Sequence, residues 1–212
     1  MKLGAHCVLY GPEIASDPDA VISRLVWAGA EGCELGERFF SVDDRPKLTE
    51  VLDRHSFALA GMHANHLNLT ELLYEPEKSR TALENVARFV APLPDKNVIA
   101  TGMPGAMDGV QGRTLGEGAA APELHDPEAV KTIAHNLNAI VKDIQAQYGV
   151  QIHYHNHSWE FCDNGLIWYT LAEEAPDLLF ALDTGWAAVS GFDPVELMDK
   201  YPGRFHYVHL RD

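Results

Sequence analysis

The stretch Ile152-His153-Tyr154-His155-Asn156-His157-Ser158-Trp159-Glu160-Phe161 decides the fold. It starts from an apolar residue, in a run of strand length that begins at Val150, and turns polar within a few positions. Charge is costly at the end of a buried strand unless the polar groups converge on something. The same form recurs along the chain. The run from Ala58 ends in Gly61-Met62-His63, the run from Leu178 in Leu182-Asp183-Thr184-Gly185-Trp186, and the last reads Phe205-His206-Tyr207-Val208-His209-Leu210-Arg211-Asp212. Strands are expected at Lys2 to Leu9, Gly32 to Leu35, Ala58 to His63, Asn97 to Thr101, Val150 to His155, Leu178 to Asp183 and Arg204 to His209. Helix-period segments separate them, which is the pattern of βα units around a parallel sheet.

Three of the helices share a start signal. Asp17-Pro18, Asp126-Pro127 and Asp193-Pro194 each set a capping oxygen before a proline whose missing N–H costs nothing at the first helical position. After Asp126, residues Val130, Ile133, Leu137, Ile140, Val141 and Ile144 form one apolar stripe to lay on a sheet. No linker or composition break divides residues 1–212, so one domain is expected. The irregular Gly102 to Leu124 follows a strand and would lie over the strand C-terminal ends as a lid. Its Gly112-Arg113-Thr114-Leu115-Gly116-Glu117-Gly118 lacks the Lys-Ser/Thr ending of a phosphate loop and reads as a flexible loop.

Composition narrows the function. The chain has 212 residues, 46% of them hydrophobic, and a formal charge of -15 from 31 acidic and 16 basic side chains. Such a surface repels a phosphate backbone, and no basic stripe overrides it, so nucleic acid is not the expected partner. No run approaches the ~18 apolar residues of a membrane span. The start, Met1 to His6, has no apolar signal region, and Cys7, Cys33 and Cys162 are odd in number and widely spaced. A cytoplasmic protein with reduced thiols is expected.

Side chains alternate across a strand, which puts His153, His155 and His157 on one face and Phe205, Tyr207 and His209 on one face of the last strand. A divalent cation would relieve the cost of gathering carboxylates and imidazoles there, and mixed His/Asp/Glu donors suit Mn²⁺, Zn²⁺, Co²⁺ or Mg²⁺. The expected donors are His155 or Glu160, with Asp183 and His209. Any one of these histidines alone would more often be a hydrogen-bonded structural residue. Glu34 ends near the same face, as a substrate contact or a salt-bridged core carboxylate. His63 is a further substrate contact, and His66 reads as an ordinary loop residue. Trp159 and Trp186 either wall the pocket or pack the core.

Taken together, Tyr154-His155-Asn156-His157-Ser158-Trp159-Glu160-Phe161, Leu182-Asp183-Thr184-Gly185-Trp186-Ala187, Gly191-Phe192-Asp193-Pro194, Lys200-Tyr201-Pro202-Gly203-Arg204 and His209-Leu210-Arg211-Asp212 resemble the sugar phosphate isomerase/epimerase group of the xylose-isomerase-like TIM barrels. Gly29-Ala30-Glu31-Gly32-Cys33-Glu34-Leu35 and Gly61-Met62-His63 are similar to that group's second- and third-strand motifs. The resemblance implies a (β/α)8-type barrel holding one divalent metal ion on a carboxylate after the fifth strand, an aspartate after the sixth, a histidine after the seventh and a glutamate on the eighth. Carried over, the first three are Glu160, Asp183 and His209. In other branches the fifth-strand ligand stands where this chain has His155. The eighth-strand glutamate has no counterpart.

The implied chemistry is proton transfer beside a carbonyl, through an enediolate, which isomerises or epimerises a sugar, keto-sugar or cyclitol. Glu160 or His155 would stand near the base role, with Glu34, His63, His157 and Trp186 on the substrate. A dehydratase of the inosose dehydratase type would share the site, and a non-catalytic sugar-binding protein is the alternative from a different class. The apurinic-site endonuclease branch uses a histidine where this chain has Trp186. Barrels of the group often pair through loops on the catalytic face, which leaves room for a homo-oligomer. A complete eight-stranded barrel takes ~250 residues, so seven strands in this length suggest a barrel truncated after the seventh.

Overall fold

The computed structural model describes residues 2–104 and 121–211, apart from the side chains of Asn65 and His66. In chain order its elements are β1 (Gly4–His6), α1 (Glu13–Ser16), α2 (Pro18–Trp27), β2 (Gly32–Gly36), α3 (Arg45–Arg54), β3 (Ala58–Asn68), α4 (Leu69–Tyr74), α5 (Pro76–Val90), β4 (Asn97–Met103), α6 (Pro127–Tyr148), β5 (Gln151–His155), α7 (Cys162–Glu174), β6 (Leu179–Asp183), α8 (Thr184–Val189), α9 (Pro194–Lys200) and β7 (Phe205–His209). The seven strands form one sheet in sequence order, each parallel to the next. This is an α/β fold of the TIM-barrel type, in the form of an incomplete barrel. Among the described residues no helix is long and apolar enough to cross a membrane.

The caps form as expected. Asp17 accepts from the Ala20 N–H, Asp126 from Glu128 and Asp193 from Val195, each ahead of a first-turn proline. The whole predicted stripe of α6 is buried, with Ala134 added to it. It lies on the outer face of the sheet, where Tyr154 and Phe180 also point; Trp168 of α7 packs 4.6 Å from Phe180, centroid to centroid. The opposite parity of each strand faces the barrel interior.

Three expectations change at this level. The first strand stops at His6, because Cys7–Tyr10 turns into a 3-10 helix closed by Gly11, whose φ of 50° suits a residue without a side chain. The third strand runs on to Asn68, so His66 belongs to a strand and not a loop. Phe205 does not share a face with Tyr207 and His209. A register shift between Phe180 and Ala181 breaks the alternation, and Phe205 packs outward on Phe180 and Trp168 while Tyr207 lies by the interior His153. Of Gly102 to Leu124, the first residues extend β4 and Pro122–His125 form a 3-10 turn. The expected lid and the Gly112 to Gly118 segment lie outside the described residues.

Candidate active site

The C-terminal ends of the strands open on a mouth lined with imidazoles. Centroid distances run from His6 to His63 at 5.1 Å, His63 to His155 at 5.5 Å, His155 to His209 at 4.5 Å, and His209 back to His6 at 5.4 Å. Among the described residues β1 and β7 share no ladder, yet their last residues meet here. At the centre is Glu34, 2% exposed. Its Oε1 lies 2.6 Å from His63 Nε2 and 3.2 Å from His6 Nε2, and its Oε2 lies 2.8 Å from His209 Nε2. A register shift between Cys33 and Glu34 aims this carboxylate inward opposite Gly61, and bulges of this kind re-aim side chains beside active sites. Burial opposes its charge, but His63 and His209 outweigh burial and hold the carboxyl well below the usual range. The His209 imidazolium is stabilised in return against its own burial. Burial brings His6 down to about 4, against the pull of Glu34.

Asp183 ends β6 with no exposure. One carboxylate oxygen caps α8 by accepting from the Trp186 N–H at 2.9 Å; the other lies 3.3 Å from Arg211 Nε and accepts no hydrogen bond. Asn156 fixes this strand end from both sides: its amide donates to the Asp183 carbonyl at 3.2 Å, and its carbonyl accepts from the Asp183 N–H at 2.9 Å. His155, one residue earlier, is buried with Nδ1 lacking a hydrogen-bond partner. Burial, then His209 and His157, push its imidazole well below the ordinary range. Donor atoms of His155, Asp183 and His209 all lie within 4.8 Å of one another, and those of His6, Glu34 and His63 form a second such set.

Glu160 belongs to neither set. Tyr154 points to the outer face of β5, opposite in parity to His155, and its hydroxyl donates to Glu160 Oε1 at 2.9 Å. The other oxygen accepts from the backbone N–H of His157 at 2.7 Å. Glu160, expected as ligand and base, therefore sits behind the strand and clasps the loop that carries His157. Burial raises its carboxyl to about 7, with the His157 and Tyr154 hydrogen bonds acting against that rise.

His157 stacks on Trp159 at 4.2 Å, with Trp186 5.7 Å away, so the two tryptophans flank an imidazole at the mouth. Trp159 Nε1 donates to the Gly102 carbonyl and ties this loop to β4. Burial lowers the His157 imidazole to about 3, and its Nδ1 has no hydrogen-bond partner. Of the residues expected at the site, Glu34, His63, His155, His157, Asp183, Trp186 and His209 are brought together, and Glu160 reaches them only through the His157 backbone. His6, Asn156 and Tyr154 were not anticipated. His6 carried the same signal as the others, a polar residue closing a strand, but the expected strand ran past it.

An inosose dehydratase of Geobacillus kaustophilus (strain HTA426) is 29% identical over 196 residues, which cover 92% of this chain and 61% of that protein. The chain thus spans less than two thirds of that relative's length. A solved sugar phosphate isomerase/epimerase from Parabacteroides distasonis ATCC 8503 superposes with a TM-score of 0.76 at 23% identity, covering all of this chain and 75% of that one. A D-allulose 3-epimerase from Methylomonas sp., solved with D-allulose, superposes at 0.72 with 16% identity, over 99% and 71% of the two chains. A family model for xylose isomerase-like TIM barrels matches residues 22–212, nine-tenths of the sequence and six of the seven strands, and the chain belongs to that family.

Proposed function

We propose that this protein is a divalent-cation-dependent isomerase or epimerase of a sugar, keto-sugar or cyclitol, working by proton transfer beside a carbonyl. The observation that carries this reading is the buried cluster of His155, Asp183 and His209, in which His155 Nδ1 and Asp183 Oδ2 have no hydrogen-bond partner. Two neutral-capable imidazoles and a carboxylate suit a divalent cation, and Asp183 Oδ2, ion-paired with the half-exposed Arg211, carries no hydrogen bond that a cation would have to displace. These three residues would hold the ion. When bound, a divalent cation polarises a carbonyl and its neighbouring hydroxyl.

The chain's own groups supply the rest. His157 orients a substrate hydroxyl through a ring nitrogen that has no hydrogen-bond partner, and Glu160 positions it through its backbone N–H. Glu34 and His63 orient hydroxyls, and Trp159 and Trp186 exclude water from the side where His157 stands. The fold of the epimerase neighbours supports the sugar reading, and the acidic surface argues against nucleic acid. A cytoplasmic, reducing setting and a homo-oligomer paired through the mouth loops belong to the same proposal.

The inosose dehydratase relatives favour one second reading, loss of a β-hydroxyl after the same proton abstraction. Incubating the cation-loaded protein with ketoses and inososes in deuterated water tests both. Deuterium at the α-carbon of recovered or epimerised sugar supports the first, and an unsaturated product supports the second. With neither in any substrate while the cation stays bound, the proton-transfer proposal fails.

A further inference from the structure

We infer that His6, Glu34 and His63 form a second divalent-cation site, separate from the His155, Asp183 and His209 cluster and suited to Zn²⁺ or Co²⁺. The three donors come from the end of β1 and from within β2 and β3, and their ligand atoms all lie within 4.8 Å of one another. Two of these atoms are buried without a hydrogen bond: Glu34 Oε1 and His63 Nε2. They form an ion pair at 2.6 Å whose alignment is poor for a hydrogen bond. A carboxylate oxygen and an imidazole nitrogen paired this closely need open only slightly to share a cation between them.

The surroundings orient these donors. Thr101 Oγ1 lies 3.3 Å from His63 Nδ1, which leaves Nε2 as the ring nitrogen that faces Glu34. Glu34 Oε2 is taken by His209, which leaves Oε1 for the cation. Two imidazoles and one carboxylate are a zinc donor set that leaves a fourth position open for water or a substrate hydroxyl. Ligand atoms around Zn²⁺ at ~2.1 Å stand about 3.4 Å apart, close to the 3.2 Å between His6 and Glu34 and reached by a small opening at His63. His6 is about one-third exposed and gives the ion a way in.

Metal stoichiometry tests this on the full chain, stripped with chelator and titrated with Zn²⁺ or Co²⁺ alone, with bound metal measured by calorimetry and elemental analysis. Two equivalents are expected in the wild type. One is expected in Asp183→Asn, and one in the His6→Ala, His63→Ala double variant. A wild type that binds one equivalent, unchanged in the double variant, overturns the second site, as does a double variant that keeps both. A single equivalent that survives Asp183→Asn and vanishes in the double variant overturns the first cluster instead and leaves this site standing. If the double variant does not fold, anomalous scattering from a Zn²⁺-loaded wild-type crystal decides. A peak bonded to Glu34 Oε1 and to Nε2 of His6 and His63 is expected, and density at the other cluster alone refutes the site.

Discussion

Glu160 shows how a single atom's surroundings set a residue's role. Its carboxyl is fully buried between a tyrosine hydroxyl and a backbone N–H, and its ordinary value of 4.5 rises to about 7. A raised folded-state value means that the folded chain prefers the neutral acid. The associated stability is fully present below about pH 4.5 and is lost as pH rises through about 7, on the order of 3 kcal/mol in all. Glu160→Gln keeps an acceptor for His157 and has no proton to lose. The unfolding free energy of the wild type relative to this variant should therefore fall between pH 4.5 and 7.5, and denaturant melts at a series of pH values measure it. A constant difference would show that Glu160 does not titrate in the fold. Asp183 differs in that one oxygen caps α8 and the other faces the mouth. Asp183→Asn retains the capping oxygen and removes the charge. Activity should fall further than the ~10–100-fold typical of changing an outer-shell partner, with the melting temperature of the cation-free protein little changed.

At the scale of elements, what was legible in the sequence is what repeats locally. Asp-Pro caps and the apolar stripe of α6 depend on neighbours three or four residues apart, and both formed as expected. Strand parity is a longer-range property, and register shifts at Cys33/Glu34, Ala64/Leu67 and Phe180/Ala181 alter it without leaving a mark in the residue pattern. That is why Phe205 faces outward; Glu160 lies in the 3-10 turn after β5, where strand alternation no longer sets which way a side chain points. The β4–β5 junction depends on a glycine. A Cβ on Gly102 would stand 2.0 Å from the Tyr154 hydroxyl, the group that holds Glu160. Gly102→Ala should therefore displace Tyr154 and cost ~1–3 kcal/mol. In a double-mutant cycle with Tyr154→Phe the two losses should be less than additive, since both break the same hydrogen bond. Additive losses in thermal melts would separate Gly102 from the Tyr154–Glu160 clasp.

Among the described residues the sheet is open between its first and last strands, and side chains of the site meet across that opening. β1 and β7 exchange no ladder hydrogen bonds, but the His6 and His209 rings stack 5.4 Å apart and Glu34 receives His209 from 175 residues away. The same His209 joins the His155 and Asp183 cluster, so a cation seated there links β5, β6 and β7, and Glu34 carries that link to β2. An ion that binds only the folded chain stabilises it by mass action, about 2.7 kcal/mol at a hundredfold excess over its dissociation constant. For a chain of this length that corresponds to ~5–10 °C in melting temperature. Mn²⁺, Co²⁺ or Zn²⁺ should raise the midpoint by that amount and a chelator should reverse it, with the gain much reduced in Asp183→Asn. A midpoint identical in chelator and in excess metal would mean that the mouth holds together through the Glu34 and imidazole contacts alone, and the cation would then have no part in closing the barrel's ends.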